Sequence, residues 1–134
     1  MIYLFEDENT KIEHRTNGLL FHVDKTETVQ RVSHFLSFYK ADAVIVRHNG
    51  VPVGMITAGD VIKGVAISGG DLSAIVAENI MSAPIISLDH DKYVDEVKAF
   101  MLDKGLIKLP IKKEEDIVGL VVEPEILINS SLYK

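Results

Sequence analysis

The sequence predicts an α/β fold made of two tandem β-α-β-β-α units, packed sheet to sheet with pseudo-twofold symmetry. Three observations point to it: an internal repeat, apolar periodicities that switch between strand and helix, and turn signals at matching places. Shifted by 65 residues, the 134-residue chain overlays itself without a gap from about residue 20 to residue 62. Asp24 falls on Asp89, Val29 on Val94, Val32 on Val97, Phe35 on Phe100 and Gly54 on Gly119. Apolar positions coincide between these identities, as with Val46 and Ile111, Met55 and Leu120, or Ile56 and Val121. A fixed period of this length is the mark of a duplicated supersecondary unit.

Each element follows in order. Residues 19–23 form a short apolar run, read as the first strand. Asp24 and Glu27 have capping-box spacing. Val29, Val32, Phe35, Leu36 and Tyr39 then share one helical face. Residues 43–46 and 51–56 flank Asn49-Gly50, the strongest short hairpin signal. A second helix starts near Ala58 and carries Val61, Ile62 and Val65. Ser68, Gly69 and Gly70 break the pattern, and Asp71 is expected to cap a short helix through Glu78. The second copy repeats the order: a strand at 84–88, a helix opened by Asp89-His90-Asp91 and marked by Val94, Val97, Phe100 and Met101, and a hairpin of 107–111 and 117–122 around Glu114-Glu115-Asp116. A last helix is expected over 123–128. The resulting layout is an N-terminal extension at 1–16, repeat one at 17–66, a linker at 67–79 and repeat two at 80–134. Residues 1–16 show no counterpart in repeat two. A three-stranded sheet covered on one side leaves the other face bare, so the two copies are expected to close on each other. Clefts where repeated units meet are common ligand sites.

Composition narrows the function. A net charge of −6 without a basic stripe argues against binding a nucleic-acid backbone. No apolar run approaches the roughly 18 residues that span a bilayer. The N-terminus turns acidic by Glu6, too early for a signal peptide, and with no cysteine in the chain a cytoplasmic location is expected. The histidines His14, His22, His34, His48 and His90 lack metal-ligand spacing. No Gly-rich phosphate loop, nucleophile elbow or oriented base is visible, so no catalytic activity is expected.

One constellation could carry chemistry. At the end of the first hairpin the chain reads Gly54-Met-Ile-Thr57-Ala-Gly-Asp60. A strand delivers Thr57 and Asp60 to a helix start, where free N–H groups favour an anion. A carboxylate can accept from both hydroxyls of a ribose. The same spacing also makes an ordinary capping box, and both readings stand at this point.

In this setting the residues resemble the CBS-domain family. The tandem unit, the glycine–apolar–threonine–aspartate string, Asn79-Ile-Met81 and Lys108-Leu-Pro-Ile111 together look like a stand-alone CBS pair, over about four fifths of the chain. The resemblance implies a regulatory module sensing an adenosine-containing ligand: AMP, ADP, ATP or S-adenosylmethionine. Carried over, Thr57 and Asp60 clamp the ribose with Met55 beneath it. Ser82, Ala83, Pro84, Ile86, Leu106 and Ile107, from the other copy, are candidates for the adenine wall. Lys108 is the candidate cation for phosphate, standing where repeat one has Ala43; a solvent-facing lysine is its alternative. The wall residues read equally as core packing. The resemblance further implies a homodimer formed through helices and a regulated protein partner. Repeat two departs from the motif, with Val122 for Thr57 and Glu125, after Pro124, for Asp60. One competent site is therefore expected. The alternative is a ligand-free dimerisation or protein-docking scaffold.

Overall fold

The computed structural model describes residues 10–123. It holds two three-stranded sheets of the same topology, ordered β1-β2-β3 and β4-β5-β6. The first comprises β1 (Leu20–Asp24), β2 (Ala43–His48) and β3 (Val51–Ile56), with α1 (Val29–Ser37) crossing from β1 to β2 and α2 (Ala58–Ser68) following β3. A short α3 (Ala77–Ile80) leads to β4 (Leu88–Asp89), α4 (Val94–Lys104), β5 (Lys108–Lys113) and β6 (Asp116–Val122). β1 runs parallel to β2, which is why a helix must connect them, and β2 pairs antiparallel with β3. β4, β5 and β6 repeat this arrangement.

The 65-residue offset reappears in three dimensions. β2 maps residue for residue onto β5. The hairpins carry the same register shift, between Val46 and Arg47 in one and between Ile111 and Lys112 in the other. At the first turn Asn49 and Gly50 both have positive φ (52° and 77°), as a type I′ hairpin requires. At the matching turn Glu114 takes φ 56°, an uncommon conformation for a residue with a side chain of this size.

The central strands explain the apolar runs. Ala43, Val44, Ile45 and Val46 are all buried, so β2 is covered on both faces. Val29, Val32, Val44, Val46 and Ile56 form the core of the first copy, and Val94, Val97, Met101, Leu109 and Ile111 that of the second. Each fully buried side chain of this kind contributes about 1.5–3 kcal/mol.

Several local expectations are corrected. Asp24 does not cap α1. It stays in strand register with Arg47, and its carboxylate takes the Thr26 N–H and hydroxyl. Thr28 is the N-cap, accepting from the Arg31 N–H at 3.2 Å. Asp89 is likewise held in register with Lys112, and α4 starts after Tyr93, whose N–H donates to Glu96 Oε1 at 3.1 Å. Asp71 closes a turn on Ser73, and α3 begins only at Ala77. β4 is two residues long rather than the run 84–88, and Pro84 at its expected start has no N–H to offer a ladder. The helix expected after residue 123 and the first nine residues lie outside the described residues.

Residues 10–17 do have a counterpart, at 75–82. The Ala77 N–H donates to Glu27 O and the Ile12 N–H to Lys92 O, both at 2.8 Å. The Val29 N–H donates to Ile75 O at 3.0 Å, as the Val94 N–H does to Thr10 O at 2.9 Å. The chain therefore lays its first described segment on the second copy before building the first, which ties the copies together.

Polar contacts also join the copies. β3 and β6 touch. Arg47 Nη2 meets Asp116 Oδ1 at 2.6 Å, while its Nε donates to His22 Nδ1 at 3.0 Å and its Nη1 to Gly50 O. Desolvation, and then the neighbouring guanidinium, hold the His22 imidazole below its ordinary value, with Asp116 opposing. His22 is exposed as a residue, so solvent screening keeps the effect small.

The sign follows from proton binding. The unfolded chain protonates His22 near 6.5 and the folded chain only at lower pH, so stability is lost as pH falls through that window. A further loss is expected below about pH 4.5, where Glu13 ionises in the unfolded chain; its hydrogen bond to His90 lowers its pKa in the fold. Urea midpoints measured from pH 8 to pH 5 should decline on the acid side, and His22→Gln should flatten that decline.

Candidate functional site

β3 ends at Ile56 and α2 starts at Ala58, so Thr57 becomes the N-cap and Asp60 the third helical residue. Asp60 is 9% exposed, the one buried charged residue among those described. Its Oδ2 accepts from the Thr57 N–H at 2.9 Å and the Thr57 hydroxyl at 3.4 Å. The capping reading is therefore real. It uses only one carboxylate oxygen. Oδ1 has the Ser82 hydroxyl at 3.5 Å and the Lys63 ammonium at 3.6 Å, both longer than an ordinary hydrogen bond.

Ser82 is brought there by the backbone. The Met55 N–H donates to Ser82 O at 3.0 Å and the Ser82 N–H to Met55 O at 2.9 Å. This approach needs Gly54: a Cβ there would stand 2.6 Å from Met81 Sδ and 3.0 Å from Ser82 O. Beside the bridge lies a cavity of about 260 Å³, lined by Met55, Ser82, Pro84, Ile85, Ile86, Leu106 and Lys108. Thr57 and Asp60 are not among its lining residues; Asp60 adjoins it through the Ser82 hydroxyl, 3.5 Å from Oδ1. The cavity thus takes Met55 from repeat one and Leu106 and Lys108 from repeat two.

Of the residues singled out in the sequence, Met55, Ser82, Pro84, Ile86, Leu106 and Lys108 share this cavity, while Ala83 is exposed outside its lining. Ile107 faces a different groove, beside Val97, Met101 and Val121. Lys108 does reach across the copies, but its Nζ donates to the Asp42 carbonyl at 2.8 Å. Sequence reasoning missed Lys63 and Ile85. The i, i+3 spacing of Asp60 and Lys63 was the available signal.

The matching place in repeat two is built differently. Asn17, the counterpart of Ser82, donates from Nδ2 to Val122 O at 3.1 Å and accepts the Val122 N–H on Oδ1 at 2.8 Å. A side chain from the preceding segment thus satisfies the N–H that Asp60 satisfies in repeat one. Among the described residues no group of three or more His, Asp or Glu is placed to hold a metal ion. No helix among them is long and apolar enough to cross a membrane.

Two sheets of one topology, related by a fixed repeat and enclosing a cleft between them, define a tandem-repeat module. The CBS-domain family model matches residues 20–67 and 76–130, and the chain belongs to that family. CBS-domain proteins are regulatory modules that often bind ligands. An uncharacterised protein of Methanopyrus kandleri is 32% identical over 104 residues, covering 76% of this chain. The chain spans 53% of that protein's length, about half. The CBS domain-containing protein YhcV of Bacillus subtilis is 24% identical over 107 residues, covering 80% of this chain and 76% of that protein. An uncharacterised conserved protein from Pyrococcus horikoshii has a crystal structure similar to this fold, with a TM-score of 0.78, 25% identity and coverage of 93% of this chain and 95% of that one. The CBS domain of a membrane protein from Sphaerobacter thermophilus shares the fold at a TM-score of 0.75 and 18% identity, covering 90% of this chain and 88% of that one.

Because the Met55–Ser82 bridge depends on the bare α-carbon at position 54, Gly54→Val should force the two segments apart. Overpacking of this kind costs about 1–3 kcal/mol. Chemical denaturation should show the loss, and Gly59→Ala, where an added Cβ meets nothing within 4 Å, should not share it.

Proposed function

We propose that the protein is a non-catalytic regulatory module that binds an adenosine-containing ligand, AMP, ADP, ATP or S-adenosylmethionine, at the cleft beside Asp60. One observation carries the reading: a buried carboxylate keeps one oxygen for its helix cap and leaves the other weakly held next to Ser82, which lines an apolar cavity. Vicinal ribose hydroxyls are donors suited to that oxygen. Pro84, Ile86 and Leu106 offer apolar walls of the kind a base packs against. Repeat two has Val122 at the Thr57 position, with its N–H already taken by Asn17, so a single clamp is expected. The reading includes a cytoplasmic location, a regulated protein partner and a homodimer. Ile62 and Ile67 on α2 and Phe38 beside α1 are 71%, 64% and 61% exposed, which supports burial between two copies.

Ligand at 100 times its dissociation constant adds about 2.7 kcal/mol. The melting temperature of a domain of this size should then rise by on the order of 10 °C. A thermal-shift panel of AMP, ADP, ATP, adenosine and S-adenosylmethionine tests the reading, and a flat response to all of them sinks it. Asp60→Asn, which keeps an acceptor for the cap, should abolish the shift, whereas Glu125→Ala should preserve it. Light scattering should report a dimer that Ile62→Lys dissociates.

A further inference from the structure

We propose that Lys63 makes the cleft selective for ligands that carry a phosphate, acting as a specificity determinant beside Asp60. This rests on the ribose reading of Asp60 given above.

Lys63 follows Asp60 by three residues on α2, and its Nζ stands 3.6 Å from Asp60 Oδ1. The lysine side chain is 65% exposed and the aspartate only 12%. The pair therefore has one fixed member and one movable member. Asp60 is held by the cap and by its burial. Lys63 is a flexible stem with three donors and an exposed head.

The contested atom is Oδ1. Oδ2 is committed to Thr57. A ribose entering from the cavity side meets Ser82 first and then Oδ1, where the Ser82 hydroxyl and Lys63 now lie. Hydroxyls that take Oδ1 displace the ammonium from its present partner. The freed cation then stands next to the ribose, within reach of whatever its 5′ carbon carries. The N-terminal end of α2 adds the positive end of the helix dipole on the same side.

Charge decides the outcome. Asp60 by itself repels a phosphate and attracts a cation such as a sulfonium. Asp60 with Lys63 is a neutral pair, and the phosphate meets a mobile ammonium. Lys108 does not take this role in the present arrangement, because its Nζ is bound to the Asp42 carbonyl. With Lys63 the cleft favours AMP over adenosine and S-adenosylmethionine. Without it the order turns toward the cationic ligand.

Isothermal titration calorimetry on the full chain with AMP, adenosine and S-adenosylmethionine tests this, using wild type, Lys63→Ala and Lys63→Arg. Wild type should bind AMP about tenfold tighter than adenosine, as expected for one hydrogen bond to a charged group. Lys63→Ala should bring AMP down to the adenosine affinity, leave adenosine within about twofold, and strengthen S-adenosylmethionine relative to AMP. Lys63→Arg should restore the AMP advantage. That advantage should shrink with added salt, because the contact is exposed. AMP binding no tighter than adenosine in wild type, or an advantage that survives Lys63→Ala, overturns the proposal and leaves the ribose reading standing. Failure of wild type to bind any of the three overturns the ribose reading and this proposal with it.

Discussion

Two backbone hydrogen bonds between Met55 and Ser82 hold the end of β3 against the segment that leads into the second copy. They set the Ser82 hydroxyl beside Asp60, turn Met55 toward the cavity wall, and demand the bare α-carbon of Gly54. At the matching place the Asn17 and Gly18 N–H groups both donate to Leu120 O, a one-sided pairing, and there Gly119 would meet Thr16 if it carried a Cβ. Each copy is thus clasped by a short segment lying just before the other copy in sequence or at the start of the chain. Helices packed on the sheets form the apolar cores, and this clasp places polar groups at the cleft.

The two clasps differ in backbone pairing and in electrostatics. In repeat one the N–H at the helix start goes to a buried carboxylate three residues later. In repeat two the matching N–H, that of Val122 at the end of β6, goes to a neutral amide from the clasping segment. A neutral side chain can satisfy a backbone donor as well as an aspartate can, without the cost of burying a charge. Keeping Asp60 buried therefore calls for a reason beyond capping, and on the proposed reading a ligand at the cleft is that reason.

The cleft also crosses the boundary between the copies, as do the Arg47–Asp116 and Lys108–Asp42 contacts. On the proposed reading, a ligand spanning both copies shifts their packing only by as much as it prefers one arrangement over another. Groups that hold the copies together without touching the cavity, such as Arg47, then belong to the same balance.

The sequence by itself determined the duplicated unit, the order of its elements, the hairpin at Asn49-Gly50 and the helix start at Thr57. These depend on local propensity, periodicity and a repeat that can be read by shifting the chain against itself. It also brought Met55, Asp60, Pro84, Ile86 and Leu106 into view as candidates. The tertiary structure alone decided which acids cap helices, since strand register claims Asp24 and Asp89 before the helices begin. It decided that residues 10–17 lie on the second copy, a pairing written in backbone hydrogen bonds that no side-chain pattern announces. It placed Ile107 away from the cavity and Lys63 beside Asp60. Burial and distance set the charge of a cleft, and both depend on how distant segments meet.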